Sequence, residues 1–218
     1  MKNKPENKSK PVLGIIAGPN GSGKTTMTKL FLNHKWEQDC HYLNADTIAN
    51  EQFGNWNDPE AIKKAAELTK KIRNELLNER KNLVFETVLS SSEKLEFIRK
   101  AKAAGYFVRI FFIGTNSPEI NASRIMTRYL KGGHTVPIEK IASRYFKSLR
   151  QIKEIIKEVD RCYIYDNSIH NQNAKQIFRT VNGKLEKTYV KELPEWTKEI
   201  YNAVKPKQQL KEHSHQVH

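Results

Sequence analysis

The sequence predicts an α/β domain: a mostly parallel five-stranded sheet with helices on both faces, followed by a C-terminal hairpin. Three observations predict it. Short apolar runs alternate with amphipathic stretches from residue 12 to residue 168, the pattern of a parallel sheet whose crossovers are helices. The first run, Val12–Ala17, ends in Gly18-Pro19-Asn20-Gly21-Ser22-Gly23-Lys24-Thr25, a glycine-rich turn leading straight into a helical stretch. After the fifth run the pattern changes to two segments within Ile177–Val190 that meet at Asn182-Gly183, a tight-hairpin signal.

Each element has its own justification. Val12–Ala17 reads as a buried strand, and Gly23 to about Asn33 as the first helix. His41–Asn44 reads as a short second strand ending at Ala45-Asp46. Asp58-Pro59 opens a long amphipathic helix to about Arg80, with Asp58 as N-cap and Pro59 at the first helical position. Asn82–Glu86 is a third strand, and Ser90-Ser91-Ser92-Glu93 resembles the capped start of a helix that Gly105 ends. Tyr106–Ile113 is a near-continuous apolar strand interrupted by Arg109. Ser117-Pro118-Glu119 starts a helix to about Leu130, Gly132-Gly133 breaks the chain, and Pro137–Val159 is helical again. Cys162–Tyr165 is the fifth core strand, and Leu193–Val204 the last helix. Residues 1–10 and 205–218 read as a disordered leader and tail around one domain, 11–204.

The 218 residues suffice for one domain with a core. No stretch approaches the roughly 20 apolar residues of a membrane span, and residues 1–10 lack the apolar centre of a secretory signal. Cys40 and Cys162 form neither a disulfide framework nor a zinc spacing. The composition therefore points to a cytoplasmic protein. The formal net charge of +14 fits an anionic partner, or a solvated lysine-rich surface.

Gly18–Thr25 satisfies the phosphate-binding-loop pattern in the strand–turn–helix context that pattern requires. Residues 18–26, from Gly18 through Pro19, Asn20, Gly21, Ser22, Gly23, Lys24 and Thr25 to Thr26, would cup a triphosphate with inward-pointing amides. Lys24 would reach the β- and γ-phosphates, and the Thr25 hydroxyl would ligate Mg²⁺. The expected fold is thus that of the P-loop NTPases, with ATP and Mg²⁺ as cofactors.

In such sheets ligands sit at the carboxyl ends of the strands. Three polar sets fall there. Asp46 could take a proton from an attacking hydroxyl or hold Mg²⁺ through water, or cap a helix. Glu86-Thr87 could be a metal-side carboxylate, a substrate-positioning pair, or a solvated strand end. Between Ser123 and Arg150 lie seven basic residues, Arg124, Arg128, Lys131, Lys140, Arg144, Lys147 and Arg150, against Glu139 alone. Arg124 and Arg128 are four apart and share a helical face. With the Gly132-Gly133 break, this segment suits a helical lid over a triphosphate, its arginines opposing charge on the transferred phosphoryl group. A solvated basic face or a nucleic-acid patch is the alternative. His134 could donate to a phosphate or stabilise the turn. Tyr165-Asp166-Asn167-Ser168 could meet an adenine or form a plain turn.

Taken in order, Asn20–Thr26, Leu43–Ala49, Phe85-Glu86-Thr87, Lys131–Pro137 and Ile164–Ser168 resemble the zeta-toxin-like P-loop kinases, in particular their compact branch often described as predicted ATPases. The resemblance runs from about residue 12 to 168. It implies an ATP- and Mg²⁺-dependent kinase. In the best-understood zeta toxins UDP-N-acetylglucosamine is phosphorylated at a sugar hydroxyl, and a small antitoxin blocks the nucleotide site. By matched position it implies Lys24 and Thr25 on ATP and metal, Asp46 as base, Glu86 and Thr87 on substrate, and Arg128 facing phosphate. Three features depart from the family. Glu86 and Thr87 are adjacent where the family has an intervening glycine. The second lid arginine has no aligned counterpart, so Arg144 or His134 would stand in. The insertions that recognise the sugar nucleotide are also shorter.

The leading expectation is therefore a kinase for a small-molecule acceptor, a nucleotide or sugar nucleotide. A polynucleotide or nucleoside kinase, or an ATPase acting with nucleic acid, is the second, supported by the charge. No RNA-recognition aromatic signature, Leu-Ser-Gly-Gly-Gln signature or Asn-Lys-x-Asp motif occurs.

Overall fold

The computed structural model describes residues 9–31, 40–54, 57–133 and 136–206. Its strands are β1 (Val12–Ala17), β2 (His41–Leu43), β3 (Leu83–Thr87), β4 (Phe107–Gly114), β5 (Arg161–Asp166), β6 (Lys175–Val181) and β7 (Lys184–Thr188). They form one sheet in the order β2-β3-β1-β4-β5-β6-β7. The first five are parallel, and β6 and β7 add an antiparallel hairpin at the β5 edge. Both the five-stranded core and the hairpin match expectation.

The helices are α1 (Lys24–Phe31), α2 (Ala45–Phe53), α3 (Pro59–Asn78), α4 (Ser92–Ala103), α5 (Pro118–Leu130), α6 (Ile138–Ile155) and α7 (Lys198–Val204), the last preceded by a 3₁₀ turn, Glu195–Thr197. Alternate side chains of a strand face opposite ways, which divides the core in two. Leu13, Ile15, Phe85, Ile110, Phe112 and Ile164 point to the face carrying α3, α4, α6 and α7. Ile16, Val84 and Ile113 point to the other face, where Met27 of α1 covers them. In α6 the buried Ile141, Tyr145, Ser148, Ile152 and Ile155 recur every three or four residues, as one buried helical stripe requires.

Two helix starts differ from the sequence reading. Asp46 does not end a strand. The Asn44 side chain accepts hydrogen bonds from the Asp46 and Thr47 amides at 2.9 and 3.4 Å, so α2 begins there and carries Asp46 in its first turn. At α4 the N-cap Ser91 makes no side-chain capping bond. Glu93 instead pairs with Arg73, which is 1% exposed and lies over the rings of Phe85 and Phe97. Asp58 caps α3 as expected, accepting from Ala61 N at 2.8 Å. Among the described residues no helix is long and apolar enough to cross a membrane.

The chain leaves β1 toward β2 on one side and later crosses from β3 to β4 on the other. The segments after β1, β3 and β4 therefore diverge at the carboxyl ends of the strands, where a crevice opens.

Candidate active site

The segment after β1 curls between two supports. Gly21, at φ +77°, lies so close to α5 that an added Cβ would sit 2.6 Å from the Asn121 carbonyl oxygen. Gly23, at φ +97°, lies against the Asn167 side chain, whose Nδ2 donates to the Ser22 carbonyl at 2.8 Å. Both supports are braced. Thr115 donates to the Asn121 side chain, and Tyr145 of α6 donates to the Thr115 carbonyl at 2.6 Å. Burial, aided by Asp166 and Glu119, pushes the Tyr145 phenol up to about 12, so it stays a donor at neutral pH. Asn167 belongs to the segment after β5, fixed by Trp196 Nε1 donating to Asp166 Oδ1 at 2.8 Å and by Ser168 Oγ donating to the same oxygen at 2.6 Å.

Lys24 stands inside this cradle. Its ammonium donates to the carbonyls of Gly18 at 2.9 Å and Pro19 at 3.0 Å. Loss of hydration pushes its pKa below the usual lysine range. Glu86, then Asp46, oppose that shift, whereas Arg128 and Arg144 reinforce it. The four charged residues singled out on three other segments of the sequence thus act on this one ammonium.

Thr25 faces Glu86. Glu86 Oε2 accepts from the Thr25 hydroxyl at 3.3 Å, and Oε1 accepts from the hydroxyls of Thr28 and Tyr42, each at 2.6 Å. Burial and the Glu86 charge hold the Tyr42 phenol well above its ordinary pKa, which keeps its proton on oxygen. Thr87, one residue on, points to the opposite face. Its hydroxyl accepts from Leu89 N at 3.0 Å, and its carbonyl accepts from Gly18 N at 3.2 Å. Accepting from Leu89 leaves the Thr87 hydroxyl proton able to donate. Thr26 is exposed on α1, and Ser22 is fully buried beneath the loop.

The basic residues differ in what they contact. Arg124 and Arg128 do not act alike. Arg124 donates to the carbonyls of Asn167, Ser168 and Ile169, bracing the segment after β5. Arg128 acts on Lys24, and Gly133 packs on it, its amide donating to the Arg128 carbonyl at 3.0 Å. Arg144 reaches the loop itself, donating to Asn20 Oδ1 at 3.4 Å. His134 lies outside the described residues.

The sequence reading missed Tyr42, Asn44, Thr28 and Asn121, and it offered Asn167 only within a segment that could meet an adenine or form a plain turn, not as a support of the loop. Thr28 lies one helical turn beyond Lys24, and so was within reach of a periodicity argument. Tyr42 becomes legible only through register, because it pairs with Val84, on the same face as Glu86.

With this geometry in view, the sequence profile of the zeta toxin family matches residues 1–180. The chain belongs to the zeta toxin family. Membership in the zeta toxin family makes it a nucleotide-dependent kinase, an ATP-dependent phosphotransferase. An uncharacterised protein of Haemophilus influenzae is 30% identical over 136 residues, covering 60% of this zeta toxin family chain and 90% of that protein. Among solved structures, the PezAT chromosomal toxin–antitoxin system of Streptococcus pneumoniae superposes with a TM-score of 0.56 at 17% identity, over 78% of this chain and 74% of that one. The AvrRxo1-ORF1:AvrRxo1-ORF2 complex with sulphate ions gives a TM-score of 0.64 at 15% identity, over 94% and 66%. At such identities the two structures share the fold of this zeta toxin family member.

Proposed function

We propose that the chain transfers the γ-phosphoryl group of ATP to a hydroxyl of a small acceptor, a sugar nucleotide of the UDP-N-acetylglucosamine class. The observation that carries this reading is the convergence of Glu86, Asp46, Arg128 and Arg144 on the Lys24 ammonium. On this reading Asp46 would be the base, Glu86 the cation-side carboxylate, and Arg128 and Arg144 the charge-neutralising arginines around one phosphate cradle.

The residues present suit ATP and Mg²⁺. Lys24 rests on two carbonyl oxygens and would exchange them for phosphate oxygens. Thr25 and Glu86 place a hydroxyl and a carboxylate side by side. No group of three or more His, Cys, Asp or Glu able to hold a metal occurs among the described residues. A cation held by one or two protein oxygens plus substrate phosphates fits that inventory. Thr25 and Glu86 would hold Mg²⁺, which when bound would offset the negative charge of the phosphates.

In the reaction Asp46 accepts the acceptor hydroxyl's proton as that oxygen bonds to the γ-phosphorus. The bond from phosphorus to the β–γ bridging oxygen breaks, and ADP leaves. Arg128 and Arg144, from α5 and α6 acting as a lid, draw off negative charge as it develops. Lys24 holds the phosphates in line, so positioning and electrostatics provide the catalysis. Glu86 serves the cation side, and Thr87, whose hydroxyl proton is not used by Leu89, the acceptor side. The PezAT likeness, a toxin–antitoxin system by its own description, supports a small protein antitoxin as partner.

The test is transfer of labelled γ-phosphate from ATP to a panel of sugar nucleotides, nucleosides and oligonucleotides. Label on UDP-N-acetylglucosamine is the expected result. Label on oligonucleotide alone would replace this acceptor by a polynucleotide.

A further inference from the structure

Glu86 is held more firmly than the motif around it explains. Its Oε1 accepts two short hydrogen bonds, from Tyr42 and Thr28, while Oε2 accepts a single longer one, from Thr25. The carboxylate is therefore asymmetric, with one oxygen occupied and the other turned to the threonine. The Tyr42 ring packs against the cluster of Ile16, Met27, Val84 and Ile113, which fixes where its hydroxyl lies. That hydroxyl in turn accepts from Asn44 Nδ2 at 3.1 Å. Asn44 uses its other side-chain atom, Oδ1, to cap the helix whose first turn carries Asp46. An unbroken path of side chains thus joins the cap of α2 to Tyr42, Glu86 and Thr25.

We propose that Tyr42 is a positioning residue for the divalent-cation site, and that Asn44 ties this site to the helix bearing Asp46. The proposal rests on the reading of Thr25 and Glu86 as the cation-side pair. Physically, a carboxylate with both oxygens free samples many orientations, and a cation must select one. By occupying Oε1, the Tyr42 and Thr28 hydroxyls make that selection in advance and leave Oε2 for the ion. Hydrogen bonds that orient metal ligands in this way are typically worth about 10–100-fold in metal affinity. Asn44 couples the two halves because its amide serves both. A displacement of α2 that strained the cap would also pull on Tyr42.

Tyr42→Phe keeps the ring and removes only the hydroxyl. Asn44→Asp keeps a capping oxygen but replaces the donor with an acceptor that competes for the Tyr42 proton. Binding of ATP is measured by calorimetry across a Mg²⁺ series, repeated with Mn²⁺ and in EDTA, with thermal unfolding in EDTA alongside. For Tyr42→Phe the cation concentration giving half-maximal binding should rise about tenfold or more, while ATP affinity in EDTA stays unchanged. Asn44→Asp should move the cation requirement in the same direction. Glu86→Gln should raise it too, and adding Tyr42→Phe to Glu86→Gln should give no further rise, since coupled residues are not additive.

If Glu86→Gln raises the cation requirement and Tyr42→Phe does not, the Tyr42 proposal is wrong and the cation-side reading stands. If Glu86→Gln leaves it unchanged, the cation-side reading itself fails. A Tyr42→Phe variant that loses ATP affinity equally in EDTA, or that only unfolds earlier, has a packing role and overturns the proposal.

Discussion

Two glycines offer a controlled test of how the phosphate cradle is built. Gly21 has φ +77° and Gly54 has φ +76°, so replacing either by alanine imposes the same left-handed strain, about 1–2 kcal/mol. Their surroundings differ. A Cβ on Gly54 meets nothing within 4 Å, whereas one on Gly21 falls 2.6 Å from the Asn121 carbonyl oxygen. That oxygen belongs to α5 backbone and cannot rotate aside. To reach ordinary contact near 3.4 Å, the loop or the helix must retreat by about 0.8 Å. Misplacement of a binding group by about 1 Å can cost 10²-fold in rate. Gly21→Ala should therefore lower kcat/KM for ATP by about 10- to 100-fold, or roughly 1.4–2.7 kcal/mol in the barrier. Gly54→Ala should lower stability by less than Gly21→Ala and leave kcat/KM within about twofold, since only its backbone strain changes. The assay pairs steady-state kinetics with thermal unfolding of both variants. Equal kinetics for the two would show that α5 does not set the shape of the loop, and the cradle argument would fail.

Three further outcomes are expected. Asp46→Asn should keep ATP affinity, measured by calorimetry, while kcat falls by about 10²–10⁴-fold, the usual range for a general base; unchanged transfer removes Asp46 from the mechanism. Arg73→Ala should destabilise the chain by about 2–5 kcal/mol, because it removes a fully buried side chain packed on Phe85 and Phe97 and leaves a cavity, with Arg73→Met recovering part of it in the same thermal scan. Cys162 is fully buried, and burial holds its thiol far above the usual range. A thiol reagent at pH 8 should therefore modify one cysteine per native chain, Cys40, and two after denaturation; rapid modification of both in the native state would contradict that burial.

The parallel core was legible because its strands are continuous apolar runs. The phosphate loop was legible because its chemistry is local. What escaped the sequence depended on contacts between distant segments. Asp46 looked like the end of a strand because His41–Leu43 runs straight into it. Only the Asn44 side chain, by bonding the Asp46 and Thr47 amides, turns the chain into a helix at that point. Arg124 and Arg128 share a spacing that suggests a shared task, yet Arg124 is taken up by three carbonyls after β5. No spacing rule reveals that, because the carbonyls come from a segment more than forty residues away. Tyr42 sits on a three-residue strand, too short for alternation to say which face it takes. Trp196 lies beyond the residues that match the family, yet it braces Asp166.

The electrostatics of the cradle also suggest an order of events. Lys24, Arg128 and Arg144 bring three positive charges to a site whose carboxylates, Asp46 and Glu86, supply two negative ones. Both arginines disfavour the Lys24 charge, each by less than Glu86 or Asp46 favours it. The ammonium settles on the carbonyls of Gly18 and Pro19, whose dipoles compensate only part of its lost hydration. A triphosphate reverses each of these relations. It replaces two dipoles with full charges, turns the repulsion of Arg128 and Arg144 into attraction toward a shared anion, and so favours closure of α5 and α6 only when there is a phosphoryl group to transfer. On the proposed reading, lost hydration is what leaves Lys24 short of compensation, and a triphosphate that supplies it to Lys24, Arg128 and Arg144 together makes closure conditional on ATP.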